Sequence, residues 1–336
     1  MTAFFFKFIF TVQYLNVILF NMKTIIIAEA GVNHNGNINL AKKMVRAAAS
    51  AGADIVKFQT FTAAETHTKK TKKATYQKKN TRKDKSLYEI IKKLELSKND
   101  HFILKKECKK NKIEFLSSPF DIKSIDLLND LGVRRFKIPS GEINNLPFLK
   151  YIGKFNKKII LSSGMSTISE IREAIQILRR SGTNKKKIVV LQCNTEYPTP
   201  FKDANLKAML TIKSKLKIDT GYSDHTLGIE LPIAAAALGA KIIEKHFTLN
   251  KKFEGPDHSS SIDCNELKFM IKSIRNIEKS MGNGVKSPTK SEIKNIKIVR
   301  KSIVAKKNIK KGEKFSNKNL TIKRPGTGIS PMKWES

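Results

Sequence analysis

From Thr24 onward the chain alternates between two hydrophobic periods. Short runs rich in Ile, Val and Phe recur at Ile25–Ala30, Ile55–Thr60, Ile113–Ser118 and Arg135–Ser140. Four more follow at Lys158–Ser163, Ile188–Asn194, Ile218–His225 and Lys241–Phe247. Between them lie stretches with helical spacing, among them Leu40–Ala51, Ser124–Leu131, Thr167–Ser181 and the Ala/Leu/Ile segment Ile229–Leu238. Strands that alternate with helices pair in parallel, and eight of them close a (β/α)8 TIM barrel of the α/β class. An open doubly wound sheet is the alternative. It usually opens with a Gly-rich turn, and Gly31-Val32-Asn33-His34-Asn35-Gly36 lacks the G-x-G-x-x-G spacing. The longest excursion, Phe61 to Ser97, is Lys/Thr-rich around Lys69–Lys85. It reads as a mobile loop over one mouth of the barrel, followed by a helix.

The pattern changes twice more, and the changes divide the chain. Residues 1–21 are apolar and aromatic but interrupted by Lys7, Gln13 and Asn16, with no small-residue cleavage site before Met22. A signal or membrane anchor is therefore less favoured than an extension upstream of a true start at Met22, and no membrane partner is expected. The barrel domain spans 22–281. A linker at 282–296 opens with Gly282-Asn283-Gly284, and 297–336 is a small, basic, β-rich segment with a tight turn expected at Lys311-Gly312-Glu313.

Charge alters this picture little. The 336-residue chain carries a formal net charge of +36, which raises the question of nucleic acid. Only ten of the 65 basic residues are Arg, and the Lys are scattered along the whole chain beside Asn and Ile. No zinc-finger spacing, RNP-type motif or basic arm accompanies them, so no nucleic-acid partner is expected. The charge would instead concentrate anionic substrates. Three widely separated cysteines, Cys108, Cys193 and Cys264, point to a reducing, cytoplasmic location.

The chemistry stands at the strand ends. In order these carry Glu29, then Lys57 and Gln59, Ser118, then Lys137, Ser140 and Glu142. Ser162 and Ser163, Asn194 with Tyr197, Ser223 to His225, and Glu244 to His246 follow. In a barrel all of them face the C-terminal mouth, where barrel active sites lie. Singly, each has a bland reading, as a snorkelling lysine, a turn-forming serine or a hydrogen-bonding histidine. Every strand ending in such a group is a stronger pattern. Two buried lysines flanked by hydroxyls make a phosphate cradle. His225 and His246 flank one βαβ unit, so both project to the same side, with Asp224, Glu244 and Asp257 as acidic company. Neutral imidazoles among carboxylates suit a divalent transition metal. These residues support a metal-assisted enzyme acting on a small phosphorylated or carboxylated substrate, and leave the reaction open.

Nine stretches then carry a resemblance: AEAGVNHNG, VKFQTF, SSPFD, FKIPSGEINNLP, LSSGM, CNTEYPTP, GYSDHTLG, EKHFT and GPDH, in this order. Together they resemble the sialic acid synthases, over roughly Lys23 to the end. That family includes N-acetylneuraminate synthase and the legionaminate and pseudaminate synthases. The resemblance implies a TIM barrel followed by a small antifreeze-like (SAF) domain, exchanged between the chains of a homodimer. It implies condensation of phosphoenolpyruvate with an open-chain N-acetylated amino sugar and release of phosphate. CNTEYPTP points to N-acetylmannosamine as acceptor, with 2,4-diacetamido-6-deoxymannose, giving legionaminate, as the alternative.

The resemblance also assigns roles. His225 and His246 would bind the metal, Mn2+ or Mg2+. Lys57, Ser118, Lys137, Ser140, Ser162 and Ser223 would hold the phosphate and carboxylate of phosphoenolpyruvate, with Gln59 and Glu244 beside them as substrate-binding groups. Glu29 would orient the attacking water or stabilise the cation, and Glu142, Tyr197 and Asp257 would grip sugar hydroxyls and move protons. Spacing does not say which carboxylate is acid and which is base. Arg324 in KRPG would reach the partner chain's sugar site, although the chain stops at Ser336, soon after SPMKW, and a loosely held arm is expected. A sugar- or anion-binding protein without turnover and a generic metal aldolase are the competing readings.

Overall fold

A computed structural model describes residues 23–74, 78, 80, 81 and 86–336. Residues 1–21 and part of the Lys69–Lys85 stretch therefore lie outside the described residues. The chain divides after Met281 into two compact units, the second being Gly282–Ser336.

The first unit is the expected barrel. Its strands are β1 (Ile25–Gly31), β2 (Ile55–Thr60), β3 (Glu114–Pro119), β4 (Arg135–Ile138), β5 (Lys158–Ser162), β6 (Ile188–Gln192), β7 (Asp219–Asp224) and β8 (Ile242–His246). All ladder pairs are parallel, in the order β3-β2-β1-β8-β7-β6-β5-β4, and the end strands β3 and β4 lie side by side. The open-sheet alternative is thereby set aside. A barrel helix follows each strand: α1 (Ile38–Ala51), α2 (Lys98–Lys110), α3 (Ile122–Asp130), α4 (Leu146–Gly153), α5 (Ile168–Arg180), α6 (Lys207–Leu216), α7 (Glu230–Ala237) and α8 (Cys264–Ser280).

Local chemistry fixes the helix starts. Ser97 with Asp100, Thr167 with Glu170 and Asp263 with Glu266 form reciprocal capping boxes at α2, α5 and α8. Asn37 caps α1 by accepting from two first-turn amides, and Gly52 closes it in the left-handed conformation at φ +90°. Among the described residues after β2 there is a short helix at Ala63–Thr66, and the helix expected to end this excursion is Leu87–Leu94, opened by a Ser86–Glu89 capping box.

Two apolar layers position the site. The larger lies between strands and helices. The smaller fills the barrel's interior at its N-terminal end with Ile27, Ile55, Leu116, Ile160, Leu191 and Ile242. These are inward-facing strand residues, and the next inward residue along each strand is polar or chemically active. The barrel is therefore plugged below and reactive above. Gly221 permits the close approach of β7 to β8, since a Cβ there would meet the Ile242 carbonyl oxygen at 2.3 Å.

The second unit contains a helix at Lys290–Val299 and an antiparallel pair, β9 (Ser302–Ala305) with β10 (Leu320–Lys323), in the register Ser302↔Lys323 to Ala305↔Leu320. The turn at Lys311-Gly312 belongs to the longer connection between these strands and does not join them directly. Among the described residues no helix is long and apolar enough to cross a membrane.

Candidate active site

The inward rows change character one pleat above the apolar plug. On β2 the row reads Ile55, Lys57, Gln59; on β8 it reads Ile242, Glu244, His246. Lys57 Nζ donates to Ser118 Oγ at 3.0 Å and lies 3.0 Å from Glu29 Oε2 and 3.5 Å from Glu244 Oε2. Lys137 Nζ donates to Ser162 Oγ at 2.7 Å and lies 3.4 Å from Glu244 Oε1, which also accepts from Ser223 Oγ at 2.9 Å. All seven side chains are buried. They form a floor of two ammonium groups threaded on two carboxylates, with three serine hydroxyls completing their shells.

The two carboxylates are not equivalent. Burial pushes the Glu29 carboxyl up to about 7, with Lys57 only partly opposing it. Burial acts the same way on Glu244, but Lys137 and Lys57 outweigh it and hold that carboxyl below the usual range. The lysines differ likewise. Burial works against the Lys57 ammonium, yet Glu244 and Glu29 more than offset it and its pKa rises. At Lys137 burial prevails over Glu244, Lys57 adds repulsion, and the pKa falls. Two lysines thus converge on one firmly ionised carboxylate and one whose ionisation burial opposes, an arrangement that suits an incoming anion.

Above the floor stand the histidines. Their ring centroids are 5.5 Å apart. His225 Nδ1 donates to the Asn194 carbonyl, leaving Nε2 to accept from the Tyr197 hydroxyl at 3.0 Å, and the Tyr197 ring stacks on it with centroids 4.1 Å apart. His246 Nδ1 is buried without a hydrogen-bond partner, and Asp257 Oδ2 is 4.0 Å away. Burial lowers His225 to about 4; burial and then His225 take His246 well below its ordinary value, so both rings are neutral at pH 7. Burial raises Asp257 to about 6. Two neutral imidazoles, one with an orphaned nitrogen, beside a carboxylate fit a divalent cation. Among the described residues no three His, Cys, Asp or Glu side chains form a ready cage, so protein ligands would fill only part of a coordination shell.

These groups line one cavity of about 320 Å³ at the C-terminal mouth. Glu29, Lys57, Gln59, Lys137, Ser140, Ser162, Tyr197, Ser223, His225, Glu244, His246 and Asp257 all line it. Ser118 stays beneath Lys57 as its hydrogen-bond partner. Ser140 begins a single 3-10 turn, Ser140–Glu142, and its hydroxyl receives the Gly164 amide at 3.0 Å.

Two readings from sequence are revised. Asp224 does not accompany His225. Consecutive strand residues face opposite ways, so Asp224 points to the helix layer and pairs with Lys245 at 2.5 Å. Glu142 is half-buried but does not line the cavity, because the 3-10 turn carries it past the mouth and Asn145 Nδ2 holds Oε2 at 2.6 Å. Arg324 is exposed in the second unit, just after β10. Sequence reasoning also missed an apolar side of the cavity, made by Val32, Phe61, Ile91 and Phe120, with Cys193 and Thr195 elsewhere on its lining. The signal for two of these was present: Phe61 and Phe120 continue the inward rows Lys57-Gln59 and Ser118 by one more alternation.

The sequence profile of the NeuB family matches residues 44–286, and that of the SAF domain matches 300–336. An N,N'-diacetyllegionaminic acid synthase of Campylobacter jejuni is 57% identical over 93% of this chain and 94% of its own length. The N,N'-diacetyllegionaminic acid synthase of Legionella pneumophila is 45% identical over 93% of this chain and 88% of its own. Among solved structures, the N-acetylneuraminic acid synthetase of Leptospira borgpetersenii superposes with a TM-score of 0.71 at 35% identity, covering 82% of this chain and 91% of that one.

Proposed function

This chain belongs to the NeuB family of C–C bond-forming nonulosonic acid synthases, and on that premise we propose that it condenses phosphoenolpyruvate with 2,4-diacetamido-6-deoxymannose to give N,N'-diacetyllegionaminic acid and phosphate. The observation that carries the acceptor is the identity of 57% and 45% to two enzymes of that name, against 35% to the N-acetylneuraminic acid synthetase. It reverses the order suggested by CNTEYPTP, which put N-acetylmannosamine first.

The geometry supports the chemistry step by step. The Lys57 and Lys137 ammonium groups of the floor receive the phosphate and carboxylate of phosphoenolpyruvate, with the Ser140, Ser162 and Ser223 hydroxyls as donors. Held between His225 and His246, a divalent cation, Mn2+ or Mg2+, would supply Lewis-acid polarisation of the acceptor's aldehyde. Carbon 3 of the enol attacks the aldehyde carbon; the new C–C bond forms as the carbonyl π pair moves to oxygen, which takes up a proton. Water adds to the cationic carbon 2 and gives its proton to a carboxylate, for which Glu29 beside Lys57 is the candidate. The resulting tetrahedral carbon expels phosphate by C–O cleavage. Gln59, Tyr197 and Asp257 hold the sugar hydroxyls, and Glu142 at the rim is left to a partner or a longer acceptor. The SAF unit of a second chain would close the mouth and bring Arg324 over the sugar.

The test is a panel of acceptors with purified protein, phosphoenolpyruvate and Mn2+, following phosphate and the mass of the product. The 2,4-diacetamido sugar should exceed N-acetylmannosamine at least about tenfold in kcat/KM. Equal or reversed preference would sink the acceptor assignment. Release of pyruvate would mean an aldolase, and sugar binding without phosphate release a binding protein.

A further inference from the structure

The cavity has two unlike surfaces, and only the ionic one is used by the chemistry above. Further along the same strands, Phe61 and Phe120 meet edge to face with centroids 6.2 Å apart. Val32 from the turn after β1 and Leu94 pack with Phe61, and Ile90, Ile91 and Phe120 close around them. This cluster is separate from both barrel layers. Phe61 is almost fully buried, whereas Ile91 and Phe120 remain half-exposed, with part of their surface turned to the cavity. It is an apolar wall completed on one side by protein and on the other by whatever fills the cavity.

Its height follows from the strands. Lys57, Gln59 and Phe61 are successive inward positions, as are Ser118 and Phe120. Phe61 lies four residues beyond Lys57, roughly 13 Å further along the chain direction at about 3.3 Å per residue. The reacting carbon of the acceptor must meet phosphoenolpyruvate at the floor. The far end of an open-chain hexose is then five carbon–carbon bonds nearer the mouth, on the way to the wall.

We propose that the Val32–Phe61–Ile91–Phe120 wall receives the terminal carbon of the acceptor and selects a methyl group there over a hydroxymethyl group. The inference rests on the acceptor class proposed above and names the residues that enforce it. A methyl group buries apolar surface against the two rings and Ile91. A hydroxymethyl group would bring a hydroxyl against four side chains that offer it no hydrogen bond and would lose the water it leaves behind; Thr66 and His67 also line the cavity, and a hydroxyl satisfied by either would abolish the preference.

The experiment uses two 2,4-diacetamido acceptors that differ only at carbon 6, CH3 against CH2OH, with wild type, Phe120→Tyr and Ile91→Thr. Both substitutions keep the side chain's approximate size and add a hydroxyl to the wall; thermal melts confirm folding, and if one variant fails to fold the other decides. Wild type should favour the methyl sugar by about ten- to a hundredfold in kcat/KM. Each folded variant should cut that ratio at least about fivefold, mainly through the KM of the sugar, with the KM of phosphoenolpyruvate unmoved. A wild type that prefers the hydroxylated sugar, or uses neither, overturns this proposal together with the acceptor assigned above. A wild type that prefers the methyl sugar, with the ratio unchanged in the folded variants, overturns the wall alone.

Discussion

Lys57 and Lys137 are equally buried, yet their surroundings give them different tasks. Lys57 is the counter-ion of Glu29 and shares Glu244, while Lys137 has only Glu244 and a serine. If the floor holds phosphoenolpyruvate as proposed, removing either ammonium should take away a charge-assisted contact worth roughly 1.5–3 kcal/mol, or about tenfold or more in affinity. Lys57→Ala also strands Glu29 and should lower the unfolding free energy, whereas Lys137→Ala should lower it less. Calorimetric titration with phosphoenolpyruvate and denaturant unfolding separate the two effects. Wild-type affinity in both variants would move the phosphate elsewhere. These lysines were legible in the sequence, because a charged residue at the inward end of a buried strand has few places to go. Asp224 was misread for the complementary reason: adjacency in sequence was taken as adjacency in space, and a strand sends neighbours to opposite faces. Phe61 and Phe120 went unnoticed because a search for chemistry looks for polar groups, while a binding surface also needs apolar ones.

At the level of elements, His225 directly follows β7, His246 ends β8, and both strands are locked from behind. Lys245 Nζ bonds Asp224 Oδ2 and the Thr226 carbonyl, and Asp224 Oδ1 in turn accepts the Thr226 amide at 3.0 Å and its hydroxyl at 2.9 Å. Asp224 and Lys245 are essentially inaccessible to water. Each is the outward neighbour of a histidine, so the pair fixes the strand register that sets the distance between His225 and His246. Breaking such a pair leaves one buried charge without its partner, at about 3–5 kcal/mol. Lys245→Met should therefore cost about that much in denaturant unfolding and weaken Mn2+ binding, although neither atom faces the cavity. Adding Asp224→Asn should recover most of the stability. A loss below about 1 kcal/mol in the single variant would show that the strands hold their register without the pair. The alternation of strand and helix that announces these elements was fully legible, since hydrophobic period is a local property. The clamp was not, because it depends on which residues the closed sheet brings opposite one another.

At the scale of the whole molecule, the two units differ in how much they bury. The barrel has its core and its plug, but beyond Ile274 no large apolar side chain is buried. Phe315, Ile329 and Met332 are 73%, 63% and 94% exposed, and the interior of the small unit rests on polar contacts such as Asn319 with Glu313 and Lys314. About fifty residues with so little core are marginal alone, because chain entropy outweighs the surface removed from water. A second copy's barrel mouth would supply what is missing, and the SAF unit would gain a fixed position over the sugar. Arg324, exposed after β10, would then act in trans, where its planar fork can hold a carbonyl or hydroxyl. Mixing chains that carry Arg324→Ala with chains that carry His246→Ala tests this. In each mixed dimer one site combines an intact barrel with an intact arm, and activity should return to a fraction of wild type from two nearly inactive parents. No recovery, with mixed dimers verified by native mass, would mean that Arg324 serves its own barrel or none.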